Sequence, residues 1–211
     1  MKRHNFDIGN WELSNFFSPI RDKRDVVLLL MRTMKLINSK ILVDPNHKAG
    51  EITLLVSKMS RLFFESETKI FSIRFPFFIR ESEEDLSISS VYVENIDSTV
   101  TSSVISIFSS EFDFPDILDF AEYIDTNANT DNQIWHLVRE LLFFEDGYIR
   151  FDHDPKNTNA TFHPLNHFDF FYTDQCSFKV GTHKKLSVED MIDVLDRDTP
   201  CRYLNLGEIN I

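Results

Sequence analysis

Glycine and cysteine are both scarce in this sequence, and their scarcity excludes several classes of site. The chain has 211 residues but only five glycines, and it contains no Gly-rich phosphate loop and no nucleophile-elbow pattern. Its two cysteines, Cys176 and Cys201, do not form the Cys-x-x-Cys pair that is typical of zinc sites. Two cysteines in a chain of this length also argue against a disulfide-rich secreted scaffold.

Long apolar runs and an excess of positive charge are absent as well. The longest apolar run, Val26–Met31, is far too short to cross a bilayer, and the N-terminus has no apolar stretch of the signal-peptide kind. We therefore expect a cytoplasmic protein without membrane association. The formal net charge of −12 repels phosphate backbones at long range and disfavours broad nucleic-acid binding.

Phenylalanine, in contrast, is abundant. The chain contains 21 phenylalanines within a composition that is 42% hydrophobic. Each packed phenylalanine removes a large apolar area from water, so the core or an interface should be rich in this residue. A chain of this mass can bury about 70% of the surface that its unfolded form exposes, so its core needs no disulfide or metal. We expect one domain that spans residues 1–211.

Apolar residues at helical spacing predict several helices. The predicted ranges are 19–37, 115–126, 131–144 and 188–197. Ser18 and Pro19 suit the start of the first helix, because serine is a common N-cap and proline is favoured at the first helical position. Ser187 and Asp190 form a capping-box pattern before the last helix.

Alternating apolar and polar residues predict strands between and after these helices. The predicted strands lie within 41–57, as a strand–turn–strand unit, and over 69–80, 91–96, 100–108, 148–154 and 167–173. Pro76 removes a ladder donor from 69–80 and favours an edge position or a bulge there. The segment 100–108 is also compatible with a helix. The pattern predicts an α+β fold, a mostly antiparallel sheet with packed helices.

The densest group of titratable residues lies in Arg150–Phe171, which holds three of the seven histidines. On an extended strand, Asp152 and Asp154 share one face and lie about 7 Å apart along the strand. The next strand places His167 and Asp169 together on one face. If the two strands pair, these four side chains converge.

Such a convergence would suit a divalent metal. Carboxylate and imidazole ligands together favour Mn²⁺, Fe²⁺ or Zn²⁺, and the ion could activate water for phosphodiester hydrolysis. The candidate metal ligands are Asp152, Asp154, His167 and Asp169. The candidate catalytic residues are Asp152, Asp154, His163 and His167, with Lys156 as a charge stabiliser.

A purely structural role for the same residues is the open alternative. An aspartate before proline, such as Asp154, commonly starts a turn by accepting backbone amides. A carboxylate beside Arg150 can pair with its guanidinium, and the His163-Pro164-x-x-His167 stretch can hold a loop through ring N–H groups. Buried polar groups need partners of this kind in any fold.

The same region carries a family resemblance. The segments "GYIRFDHDP", "HPLNHFDF" and "CSFKVGTHKKLSVEDMIDVL" resemble an uncharacterised prokaryotic family, domain of unknown function 2290. The resemblance covers Gly147–Leu195, roughly a quarter of the chain, and departs from the family at His153 and Asn166, where tyrosine and serine are usual. The matched signature residues are Arg150, Asp152, Asp154, Pro155, His163, Pro164 and His167.

The resemblance implies a setting rather than a reaction, because members of this family tend to lie among bacterial mobile-element and antiviral-defence genes. The chain is acidic and Phe-rich and lacks a strong catalytic motif, and exposed aromatic residues in such a chain would mark an interface. We therefore expect an interaction protein, a subunit or accessory component of an antiviral-defence or toxin–antitoxin-like assembly, with partners encoded nearby or with copies of itself. The alternative is a metal-dependent nuclease or related hydrolase.

Overall fold

The computed structural model describes residues 2–82, 86–109, 132–159, 161–173, 176–196 and 198–201. The helices are α1 (Leu13–Phe17), α2 (Lys23–Ser39), α3 (Ser98–Ser109), α4 (Asn132–Phe143) and α5 (Val188–Leu195). The strands are β1 (Lys2–Gly9), β2 (Lys48–Val56), β3 (Arg61–Ser66), β4 (Lys69–Arg74), β5 (Phe78–Glu81), β6 (Leu86–Ser89), β7 (Ile149–His153), β8 (Asn166–Thr173) and β9 (Cys176–Gly181). The main sheet is antiparallel with the order β1-β2-β3-β4-β7-β8-β9, and β5 pairs with β6 separately. The predicted α+β class is confirmed.

The chain divides into two compact units. The first comprises Met1–Glu67 and Ser72–Tyr148, and the second comprises Thr68–Phe71 and Ile149–Ile211. Strand β4 contributes residues to both units.

The first unit builds its core from the strands β1 to β3 and the helices α2, α3 and α4. Ile52 lies opposite Phe64 and Leu54 lies opposite Leu62 in the β2–β3 register, and all four side chains are fully buried. Helix α2 contributes buried side chains along most of its length, from Val26 to Ile37. Large aromatic and aliphatic side chains therefore supply the apolar burial that the composition predicts.

The second unit is built on the strands β7, β8 and β9. Phe151 of β7 is buried and lies opposite Phe168 of β8, with the two rings edge to face at 5.5 Å. Helix α5 follows, and the predicted capping box is present: the Ser187 hydroxyl accepts from the Asp190 amide while the Asp190 carboxylate accepts from the Ser187 amide. The cap holds the first turn of α5 in place.

Several predicted helix and strand limits were wrong. Helix α2 begins at Lys23, because the Asp22 carboxylate, and not Ser18, accepts from a backbone amide of its first turn. The segment 98–109, for which a strand and a helix were both open, is a helix, since the Asp97 carboxylate caps its first amides. The segment 91–96 contains no strand, because the Ser90 hydroxyl accepts from the Val93 amide and closes a turn.

The strand predicted over 69–80 is interrupted. It ends at Arg74 and a new strand begins at Phe78, so the ladder stops before Pro76, where only an edge position or a bulge was expected. Residues 41–44 form no strand, and the side chain of Leu42 is exposed there. Strand β1 had no counterpart among the predicted elements, and the helix predicted over 115–126 lies outside the described residues.

Candidate functional site: an ion-paired cluster and an open strand edge

The pairing of the strands β7, β8 and β9 gathers polar side chains on one face. Asp152 lies opposite His167, and Asp169 lies between Arg150 of β7 and Lys179 of β9. These residues alternate along their strands with Phe151, Phe168 and Phe178, so the apolar residues occupy the opposite face. The convergence of Asp152, His167 and Asp169 that the sequence predicted is therefore present.

Ion pairs connect this cluster. The Asp169 carboxylate accepts from the Arg150 guanidinium and from Lys179 Nζ, the latter at 2.9 Å. Arg150 Nε also lies 2.9 Å from Asp152 Oδ2, an ion pair by distance rather than an aligned hydrogen bond. Burial raises the pKa of Asp169, but the Lys179 hydrogen bond and the two cations outweigh it, so the pKa lies below its usual value.

His167 is fully buried at the centre of the cluster. Its Nδ1 lies 2.7 Å from the Pro164 carbonyl, which can only accept, so Nδ1 carries the proton. Its Nε2 then accepts from Lys179 Nζ at 3.1 Å. Burial lowers the pKa of His167, and the positive charge of Lys179 acts in the same direction. His167 is thus a neutral imidazole with both nitrogens engaged.

Asp154 and His163 form a separate pair in the loop that follows β7. The Asp154 carboxylate accepts from the Lys156 and Asn157 amides, from the Asn157 side chain and from His163 Nε2. These bonds, led by those from Asn157, lower the pKa of Asp154 to about 2. This is the turn that the structural alternative predicted for an aspartate before proline.

The loop also covers the cluster. The ring of His163 meets the ring of His167 edge to face at 4.6 Å. A Cβ on Gly181 would lie 3.0 Å from Pro164 Cγ, so glycine allows the loop to approach strand β9 closely. The loop therefore packs over the imidazole and helps to bury it.

Three of the predicted ligands meet the geometric requirement for a metal. Asp152, His167 and Asp169 each offer a ligand atom, and within the described residues these atoms all lie within 4.8 Å of one another. Asp152 Oδ1 is buried and accepts no hydrogen bond there. However, Arg150 and Lys179 already balance the two carboxylates, so a cation would have to displace Lys179 from Asp169 and His167.

The sequence did not lead to Lys179, the lysine that pairs with Asp169 in the cluster. Lys156, the predicted charge stabiliser, is an exposed residue of the Asp154 turn. Lys179 lies in the cluster instead, because the β8–β9 register places it directly opposite Asp169. The alternation of Phe178, Lys179 and Val180 indicates a strand. It does not show which residue of the neighbouring strand Lys179 faces, because that depends on the register of the hairpin.

A second feature of this unit is the open side of strand β9. Within the described residues β9 pairs with β8 alone. The Thr182 amide donates to the Asn166 carbonyl, so the alternation of an antiparallel ladder turns the N–H groups of Ser177, Lys179 and Gly181 away from β8. Phe178 is 52% exposed and stacks on Phe170 at 4.9 Å. We call strand β9, which includes Phe178, together with Phe171 of β8 the β9 edge.

The opposite edge of the sheet differs in character. Strand β1 carries Lys2, Arg3, His4 and Asp7, and charges of this kind protect edge strands from unwanted pairing. The β9 edge instead has exposed phenylalanines beside N–H groups that face no partner strand within the described residues. This combination favours the pairing of another strand there.

Comparisons with protein-family models, with curated proteins and with solved structures find no match for this chain. Among the residues that the structure describes, none of the helices has both the length and the apolarity that a membrane crossing requires.

Proposed function

We propose that this chain works by binding another protein, as a subunit or accessory component of a bacterial antiviral-defence or toxin–antitoxin-like assembly. The observation that supports association is the β9 edge, where outward N–H groups lie beside an exposed phenylalanine. Such an edge can accept a strand from a partner, with the main chain providing affinity and side-chain pockets providing specificity. The bacterial defence setting is supported by the family resemblance of Gly147–Leu195.

Association also agrees with the state of the polar cluster. His167 has both ring nitrogens engaged, and Asp169 holds two cations. A general base needs a lone pair that can reach a substrate. The cluster therefore supports the strand arrangement that presents the β9 edge.

Co-expression with the products of neighbouring genes tests this proposal. We expect a stable complex by size-exclusion chromatography with light scattering, or a defined homo-oligomer. Phe178→Ser should weaken it, and Ser177→Pro should do the same by removing one outward N–H without touching a β8 hydrogen bond. Phe143→Ser is the matched control, because Phe143 lies on α4 and is 68% exposed. A chain that stays monomeric and co-purifies with none of these products would refute association.

A metal-dependent nuclease or related hydrolase is the second candidate. It is favoured by one observation, the approach of Asp152, His167 and Asp169 to within 4.8 Å together with the free Asp152 Oδ1. A metal there would be held by these three residues and would supply activated water, while Lys179 would stabilise developing negative charge.

Calorimetric titration with Mn²⁺ and a nuclease assay on single- and double-stranded DNA distinguish the two candidates. A metal site predicts binding and cleavage that Asp152→Asn abolishes and that Asp154→Asn leaves in place. The absence of both binding and cleavage would exclude the hydrolase.

A further inference from the structure

The first unit contains a cavity of about 550 Å³ that the polar cluster does not use. Its walls are the turn Ser57–Arg61 between β2 and β3, the segment Arg74–Phe78 between β4 and β5, and Glu145 and Gly147 after α4. Small-molecule sites in proteins commonly occupy about 300–1,000 Å³. The cavity is therefore large enough for a ligand of nucleotide size.

The charge of the cavity wall is opposite to that of the chain. Lys58, Arg61 and Arg74 line it, and Glu145 is the one acidic residue among the lining side chains that the structure describes. In the described part of the chain, none of the three cations lies within ion-pair distance of a carboxylate. The chain as a whole has 34 acidic and 22 basic residues, so this wall is a local reversal of charge. An anion is the complementary ligand.

Arg61 is the most deeply buried of the three cations in the wall. It is only 8% exposed, and its guanidinium donates to Ser72 Oγ at 2.9 Å and to the Gly147 carbonyl at 2.6 Å. Both acceptors are neutral, so they fix the orientation of the group without cancelling its charge. Burial lowers the pKa of Arg61, and the attraction of the Asp146 carboxylate offsets this burial only in part. A bound anion at the guanidinium would offset the remaining cost.

Gly147 allows this arrangement. Its φ is +55°, and a Cβ there would lie 3.3 Å from Arg61 Nη1. Glycine thus brings the backbone close enough for its carbonyl to bind the guanidinium. Arg61 is consequently held in one position at the cavity wall.

The apolar part of the wall suits a flat ring. Phe75 and Phe77 are buried and lie edge to face at 5.1 Å. Phe78 is 60% exposed, and the exposed side chain of Met59 lines the same cavity. Phenyl rings and thioethers both make favourable contacts with aromatic ligands.

We propose that this cavity binds a small phosphorylated compound with a planar ring, the chemistry of a nucleoside monophosphate. The phosphate lies against Arg61, Arg74 and Lys58, and the ring lies against Phe78 and Met59. The lining favours a dianion over a single carboxylate because its cationic side chains exceed its anionic ones by two. A planar guanidinium can also donate two parallel hydrogen bonds to the oxygens of a phosphate. This ligand site is independent of the β9 edge and of the proposed association.

Titration calorimetry with the full chain tests the site, using adenosine monophosphate, adenosine and inorganic phosphate as probes at low salt. We expect adenosine monophosphate to bind most tightly, adenosine at least tenfold more weakly, and the affinity to fall as salt is added. The three other ribonucleoside monophosphates, tested in the same way, report whether the ring is selected.

Three variants locate the binding. Arg74→Gln and Lys58→Gln should each reduce the affinity for adenosine monophosphate several-fold, and Phe78→Ser should reduce it without changing the binding of inorganic phosphate. Arg80→Gln is the matched control, because Arg80 is an exposed arginine of β5 that does not line the cavity. Melting temperatures verify that each variant is folded. If Arg74→Gln unfolds, Lys58→Gln still tests the site, because Lys58 lies on an exposed turn. The absence of binding for all four monophosphates, equal binding of adenosine, or equal losses in Arg74→Gln and Arg80→Gln would overturn the proposal.

Discussion

Replacing Asp169 by asparagine removes the acceptor shared by Arg150 and Lys179. Breaking a fully buried ion pair costs about 3–5 kcal/mol, and an exposed pair contributes at most about 1 kcal/mol. Asp169 is 16% exposed and its two partners are exposed by 24% and 26%, so the pairs lie between these limits. We expect Asp169→Asn to lower the free energy of unfolding by about 2 kcal/mol.

Urea unfolding at pH 7 in the presence of a chelator measures this change. Asp7→Asn is the matched control, because Asp7 pairs with Lys48 on the surface, and its loss should cost less than about 1 kcal/mol. A metal site predicts the opposite sign for Asp169→Asn, since carboxylates assembled for a cation repel each other in its absence. An unchanged or higher midpoint for Asp169→Asn would refute the structural interpretation of the cluster.

Three further predictions concern single residues. Burial lowers the pKa of His167, so its stabilising contribution is fully present above the unfolded value of about 6.5 and is lost as the pH falls below it. Between pH 7.5 and 5, the urea midpoint of His167→Gln should therefore fall less than that of the unmodified chain. Parallel profiles for the two proteins would contradict this. A carbon-detected NMR titration should place the Asp154 carboxyl midpoint at about 2, and Asn157→Ala should raise it, whereas an unshifted midpoint would exclude the turn described. Gly147→Ala should destabilise the chain by about 1–2 kcal/mol in chemical unfolding, because its φ of +55° disfavours a side chain; a neutral result would contradict this conformation.

The sequence predicted the architecture of the second unit better than its site. Strict alternation marked β7 and β8, and it correctly placed Asp152 with His167 and Asp169. Asp154 differs because β7 ends at His153, where a turn that satisfies backbone amides takes precedence over strand geometry. Alternation therefore ceases to predict side-chain direction one residue beyond a strand.

Of the features that escaped prediction, one depends on contacts between distant segments and two on a choice between local signals. The position of Lys179 opposite Asp169 follows from the β8–β9 register, which no local pattern specifies. The start of α2 was missed because Ser18 and Asp22 are both good N-caps, and the structure uses the second. The helix at 98–109 was ambiguous because its apolar residues suit either period, and the Asp97 cap decided it.

Hydrogen–deuterium exchange of the chain with and without its co-expressed partner tests the proposed association most directly. The N–H groups of Ser177, Lys179 and Gly181 point away from β8 and should exchange rapidly in the free chain. In the complex we expect slowed exchange across Cys176–Gly181, with β1 unchanged. A stable complex in which β9 exchanges as fast as in the free chain would contradict strand pairing at the β9 edge.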